Sequence, residues 1–190
     1  MNIDKPDSEK HAIYSRLMAV STGLQNDDVL ACMLTSVCVG DGAMPSRLGL
    51  TGADYEKMMR LYFPGAILPI SYSKLQNLTD NRFEEQKELL ELLMQYRRHP
   101  SEEITWMATI VTTGCMGGNH LWQDMGLWSR LDLSNLIHSN FPALAARNDR
   151  DMKWKKFFYK QLCQQEGIYV CRSPSCEVCP DYNDCFGPED

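Results

Sequence analysis

The chain has 190 residues, 44% hydrophobic and 23% charged, with a formal net charge of −6, the balance of a soluble globular protein long enough for one core or two small ones. An acidic total argues against general nucleic-acid binding, which needs a basic surface to neutralise phosphates. Residues 1–10 are polar, without the apolar run of a signal peptide or anchor, and no later stretch approaches the ~20 apolar residues of a membrane span, so a cytoplasmic location with no membrane partner is expected. In a reducing compartment, eight cysteines point to metal or catalysis before disulfides.

Helical periodicity dominates the chain. Ser8 is expected to cap a first helix whose apolar face holds Ala12, Ile13, Leu17 and Val20, with Ser21-Thr22-Gly23 ending it. Asn26 and Asp27 open a second helix over 29–39, apolar nearly all round and therefore buried, stopped by Gly40-Asp41-Gly42. Thr51 and Asp54 form a capping box for a third, ended by Phe63-Pro64-Gly65. Residues 66–79 lack a helical pattern and read as a connection.

Asp80 is expected to cap a helix over 83–98, with Leu89, Leu90, Leu93 and Met94 inward, Glu84, Glu85 and Glu91 outward, and Arg97 and Arg98 complementing its C-terminal dipole. Ser101 begins a fifth over 104–116, stopped by Gly117-Gly118, and Ser129 with Asp132 repeats the capping box for a sixth that reaches Asn140. Asn148 or Asp149 opens a seventh over 152–166, closed by Gly167. Its Trp154, Phe157 and Phe158 form an apolar stripe, while Lys153, Lys155, Lys156 and Lys160 are expected in solvent, or as an attraction for an oxyanion or an acidic partner.

A shift of about 77 places the segment from Leu30 to Gly40 on that from Met107 to Gly117, keeping Ala, Thr, Cys and Gly in register, and continues through Gly49-Leu50 onto Gly126-Leu127. One inserted residue, Trp128, then aligns Thr51 with Ser129 and Phe63-Pro64 with Phe141-Pro142. The expected fold is all-α in a single domain over 1–190: two pseudo-repeated helical units, about 8–66 and 81–144, and a segment 148–190 with a seventh helix and an irregular Cys-rich loop.

That loop carries four cysteines, Cys171, Cys176, Cys179 and Cys185, at C-x4-C-x2-C-x5-C spacing, in a stretch too poor in aliphatics to build a core. Soft thiolates so placed suit an iron–sulfur or mixed-metal cluster, or a zinc knuckle, with a disulfide tail as the third reading. Pro174 and Pro180 fit a chain wrapped around such a centre, in which neither helix nor strand is readable. Cys38 and Cys115 occupy matching places in the two units; each is either a small buried hydrophobe or, paired near a symmetry axis, half of a second metal site completed by His120 and Asp124. Cys163, one turn before the end of the last helix, is a candidate spare ligand, and Cys32 reads as core.

Three stretches together resemble the nitrogen-fixation protein NifQ family: the loop spacing; Cys-Met-Gly-Gly-Asn-His-Leu-Trp-Gln-Asp-Met-Gly-Leu from Cys115; and the run from Asn148 to Cys163 that enters the loop and its Cys-Phe-Gly-Pro-Glu ending. The resemblance covers roughly residues 28–190. It implies a carrier rather than a turnover enzyme, holding an iron–sulfur cluster of Fe3S4 or Fe4S4 type that takes up molybdenum, with the four loop cysteines as ligands. It further implies donation of molybdenum, taken from molybdate or another source, to assembly of the nitrogenase iron–molybdenum cofactor, with the nitrogenase iron protein and cofactor-assembly scaffold proteins as partners. The rival readings are an iron–sulfur electron-transfer protein and a zinc-stapled interaction module.

Overall fold

A computed structural model describes residues 5–69, 80–165, 167 and 182–189. Among them every regular element is a helix: α1 (Lys5–Ala19), α2 (Asp27–Val39), α3 (Gly52–Tyr62), α4 (Asp80–Gln95), α5 (Glu102–Cys115), α6 (Leu121–Asp124), α7 (Arg130–Asn140), α8 (Pro142–Ala145), α9 (Trp154–Gln165) and α10 (Tyr182–Phe186). None of the helices among the described residues is long and apolar enough to cross a membrane. The three short helices, α6, α8 and α10, are additions to the seven expected from periodicity.

The long helices start where side-chain oxygens satisfy backbone N–H groups. Thr51 Oγ1 accepts from Asp54 N–H, Ser101 Oγ from Ile104 N–H, and Ser129 Oγ from Asp132 N–H. Gly40 ends α2 in the left-handed region at φ 84°, its N–H returning to the Ser36 and Val37 carbonyls. Three expected caps differ, Asp80 among them because α4 already begins with it. Helix α1 begins at Lys5, so Ser8 lies inside its first turn, beyond the Pro6 that suits a helix start. Asn26, at φ 79°, makes no side-chain cap; its amide instead exchanges two hydrogen bonds, at 3.0 and 2.8 Å, with the amide of Asn140.

The core gathers Leu30, Met33 and Leu34 of α2, Met58 of α3, Leu89, Leu92 and Leu93 of α4, Ile110 and Val111 of α5, Leu133 and Ile137 of α7, and Trp154, Phe157 and Phe158 of α9. Helix α1 packs on α2, α4 on both α5 and α9, and α6 between α5 and α7. Ile13 and Leu17 of α1 are buried but Ala12 and Val20 face solvent, because only one side of this outer helix is covered. Glu85 is not solvated as expected: it accepts a hydrogen bond from Tyr159 of α9.

Contacts between the two segments related by the 77-residue shift are reciprocal. Ser36 Oγ–H donates to Gly126 O at 2.6 Å, and a Cβ at Gly126 would lie 2.6 Å from Ser36 Cβ. In turn a Cβ at Gly49, where φ is +84°, would lie 2.8 Å from Thr113 Cβ. Ser36 corresponds to Thr113 under the shift, and Gly49 to Gly126. Glycine at both places lets backbone approach a helix more closely than any side chain would allow. The helix ends also match: Phe63 and Phe141 share φ near −130°, each N–H bonded back to its preceding turn, at Met59 O and Ile137 O.

Candidate metal centre

Of the four loop cysteines, Cys185 lies among the described residues; Cys171, Cys176 and Cys179 lie outside them. Cys185 sits on α10, a five-residue helix that the sequence did not announce, half-buried and not in a disulfide. Its carbonyl accepts from Lys153 N–H at 2.8 Å, and Lys153 Nζ donates to Asn183 O at 2.9 Å. Cys185 and Phe186 pack against the core, and Gly187 N–H closes the turn on Asn183 O. The tail therefore docks at the N-terminal end of α9.

Beyond Cys185, Glu189 returns to the body, its side chain only 4% exposed. One carboxylate oxygen stands 3.9 Å from His120 Nδ1 and the other 3.5 Å from Arg130 Nε. The second distance is that of an ion pair without hydrogen-bond alignment, so the buried Nε–H of Arg130 has no partner. The rest of that guanidinium is held firmly, Nη1 and Nη2 donating to the two oxygens of Asp151 at 2.7 and 2.8 Å. His120 is the residue before α6, where its N–H donates to Gln123 Oε1 at 3.3 Å, and its side chain is 33% exposed.

Beneath His120 lies a buried polar knot. Asp124, at 0% exposure, accepts on Oδ2 from Asn119 N–H at 2.9 Å and on Oδ1 from Asn119 Nδ2 at 3.3 Å. Lys155 of α9 forms an ion pair with Asp124 and donates to the carbonyls of Gly117 at 3.0 Å and Asn119 at 2.7 Å. A Cβ at Gly117 would overlap the carboxylate, so glycine is required there. The knot removes Asp124 from the metal-ligand candidates, because its oxygens are already engaged, and removes Lys155 from the solvated lysines.

The remaining cysteines stand apart. Cys115 is 2% exposed, and burial pushes its thiol up to about 12 against the opposing pull of Lys155. Burial likewise pushes Cys38 up to about 11, with Arg16 its charged neighbour, and Cys32 up to about 12. Thiols raised by burial in this way pack as small hydrophobes. Among the described residues no three His, Cys, Asp or Glu side chains come together as a metal site. Cys163 lies ten residues beyond Lys153 on α9, about 15 Å along the axis from the end where Cys185 docks.

The family model described as NifQ matches residues 29–187. The chain belongs to the NifQ family of nitrogen-fixation proteins. It is 46% identical to "Protein NifQ" of Azotobacter vinelandii over 160 residues, covering 79% of this chain and 82% of that protein. It is 37% identical to "Protein NifQ" of Rhodobacter capsulatus, covering 85% of this chain and 87% of that protein, and 36% identical to that of Klebsiella pneumoniae, covering 77% and 90%. No solved structure matches the chain.

The NifQ match begins in α2 and ends beside Cys185, so it spans the buried knot, His120 and all four loop cysteines, and leaves out α1. Sequence reasoning missed Glu189 and Arg130 as supports of the tail. Glu189 closes the Cys-Phe-Gly-Pro-Glu ending, and a carboxylate four residues after Cys185 was the available signal.

Proposed function

We propose that this NifQ-family chain carries molybdenum on an iron–sulfur cluster held by Cys171, Cys176, Cys179 and Cys185, and gives it up for assembly of the nitrogenase iron–molybdenum cofactor. The observation that supports this reading is the docking of Cys185. A cysteine meant for the core would be packed like Cys115, whereas this one rides on a short helix fastened by backbone and ion-pair contacts at the molecule's edge. The stretch between Gln165 and Tyr182 starts at the far end of α9 and returns to its near end, some 18 Å away, with 16 residues to do so. Fully extended, that length of chain reaches about 55 Å, which leaves ample slack to encircle a cluster.

The donor set fits soft metal chemistry, thiolates being the ligands of iron–sulfur clusters. When bound, the cluster supplies sulfide and iron as the seat for molybdenum; the chain's own residues hold the loop ends and the tail. Such a protein is a carrier, not a turnover enzyme. Its partners on this reading are cofactor-assembly scaffold proteins and the nitrogenase iron protein, with molybdate or another molybdenum source upstream, in the cytoplasm.

Anaerobic purification after loading with iron, sulfide and molybdate tests the proposal by metal analysis and EPR. The expected result is iron, acid-labile sulfide and molybdenum in one chain, with Cys176→Ala and Cys179→Ala each losing the cluster. A colourless protein with about one zinc per chain, or an iron–sulfur protein that never takes up molybdenum, would overturn it.

A further inference from the structure

We propose that a groove beside α3 receives a helix from a partner protein, one that presents a tryptophan on its apolar face. The groove has a volume of about 360 Å³. Among the described residues its lining comes from α3 and the segment that follows: apolar Met59, Phe63, Ala66 and Leu68 beside the exposed Glu56 and Arg60.

Helix α7 indicates what fits there. It corresponds to α3 under a 78-residue shift, and both helices begin on a hydroxyl cap and end on a phenylalanine of matching backbone. The shift places Glu56 on Ser134, Met59 on Ile137, Arg60 on His138 and Phe63 on Phe141. On α7 this face carries Trp154 of α9, whose Nε1–H donates to Ser134 Oγ at 3.0 Å and whose ring stands edge-on to His138 with centroids 6.1 Å apart. Ile137 is fully buried, whereas the matching Met59 is half-buried and lines the groove. The seat that the chain fills for itself on α7 is open on α3.

The opening has a local cause. After α7 the chain continues as α8, which buries Leu144 and Ala145. After α3 the matching stretch takes a left-handed turn at Gly65, φ 78°, and Ile67, the counterpart of Ala145, is left 94% exposed. A lone exposed isoleucine is ordinary, but this one borders a groove that already holds Met59, Ala66 and Leu68, and together they make a continuous apolar patch.

The polar edge selects the anchor. Where α7 offers a hydroxyl and an imidazole to Trp154, α3 offers a carboxylate and a guanidinium. A carboxylate is the stronger acceptor for an indole N–H, and a guanidinium is drawn to the face of the ring. Glu56 and Arg60 stand 3.8 Å apart with side chains 71% and 70% exposed, so their own pairing is weak and both can turn to a ligand. An amphipathic helix laid in a groove is a recurrent mode of recognition, with one large side chain as its anchor.

The test uses the full chain, labelled at isoleucine and methionine methyls and titrated with a helix-stapled peptide of residues 152–162, which carries Trp154. In NMR spectra the Ile67 and Met59 signals should move to saturation while Ile137, at the filled seat, stays in place. Trp154→Ala in the peptide should weaken binding about thirtyfold, as loss of an interface anchor does. In the protein, Ile67→Asp should weaken it about tenfold, read through Met59, at a position exposed enough to leave the fold intact; Glu56→Ala should do so by a smaller factor. Absence of binding, equal binding by the two peptides, or equal shifts at Ile137 overturns the proposal. A concentration-dependent dimer that Ile67→Asp dissolves also overturns it, by assigning the groove to a second copy. Binding gained only when residues 70–79 are replaced by a glycine–serine linker overturns it in favour of the chain's own segment.

Discussion

Cys115 and Cys185 both border the first turn of α9, one from beneath and one from the tail. Cys115 ends a fourteen-residue helix in the core, 2% exposed, near Lys155, Glu85 and Tyr159, with its thiol pushed up to about 12 by burial. Cys185 rides a five-residue helix that sets Cys185 and Phe186 against the edge of the core and adds polar ties: a backbone hydrogen bond to Lys153, a lysine to Asn183, and the Glu189 contacts with His120 and Arg130. The difference teaches that two cysteines beside the same helix are held by unlike means, one by burial and one largely by a docked tail. The apolar interior and the Asp124–Lys155 pair fix the body, while the sulfur on the tail is held by a half-buried contact with the core and by a few polar bonds.

Lys155→Met should break the comparison on the side of the body. It leaves Asp124 buried without its counter-ion, a change that costs about 3–5 kcal/mol and lowers Tm by roughly 10 °C in a chain of this size. Combining it with Asp124→Asn should recover part of the loss, since the penalty comes from the orphaned charge; thermal unfolding by circular dichroism measures both. A loss below about 1 kcal/mol in Lys155→Met would mean that the pair is not a structural bond.

Arg130→Ala tests the tail. Asp151 is 71% exposed, and a tail that loses Arg130 can open to hydrate Glu189, so global stability should fall by less than about 1 kcal/mol. Local opening should rise all the same: alkylation of Cys185 in the apo protein, followed by mass spectrometry, is expected to quicken several-fold, with Cys115 still unreacted. Equal reactivity of Cys185 in wild type and variant would show that Glu189 and Arg130 do not hold the tail.

The smallest effect concerns alkaline pH. Cys115 is raised from 9.0 to about 12 in the folded chain by burial, so folding favours the protonated thiol. The contribution is fully present below pH 9 and is lost as pH rises from about 9 towards 12, because the unfolded thiol ionises first. Urea unfolding at pH 8 and pH 10 should show lower stability at the higher pH, and a shallower decline in Cys115→Ala.

Features governed by near neighbours in the chain were legible in the sequence. Thr51, Ser101 and Ser129 cap helices because an oxygen three residues before a free N–H needs nothing else. The stripe of Trp154, Phe157 and Phe158 follows from helical periodicity alone. What depends on distant partners was not legible. Lys155 reads like its neighbours Lys153 and Lys156 until α6 places Asp124 over it, 31 residues away in sequence. Asn26 has the composition of a cap, yet Asn140 claims its amide. Helix α10 is too short for any period to show, and Glu189 acquires meaning only when the tail folds back on His120.

The docking of the tail has one more consequence, in chain entropy. Closing a segment of 16 residues between fixed ends costs about 2.5 kcal/mol on the logarithmic scale for loops. Both ends are fixed on the body, Gln165 by its bond to Gln95 and the helix after Tyr182 by the bond from Lys153 to Cys185 O, so the closure is met by the fold and a ligand gripped across the segment is spared it. At constant contacts, 2.5 kcal/mol is a factor of about 60 in affinity. Releasing either anchor reverses the gain, so contacts remote from the cysteines set part of the affinity for a ligand gripped across the segment.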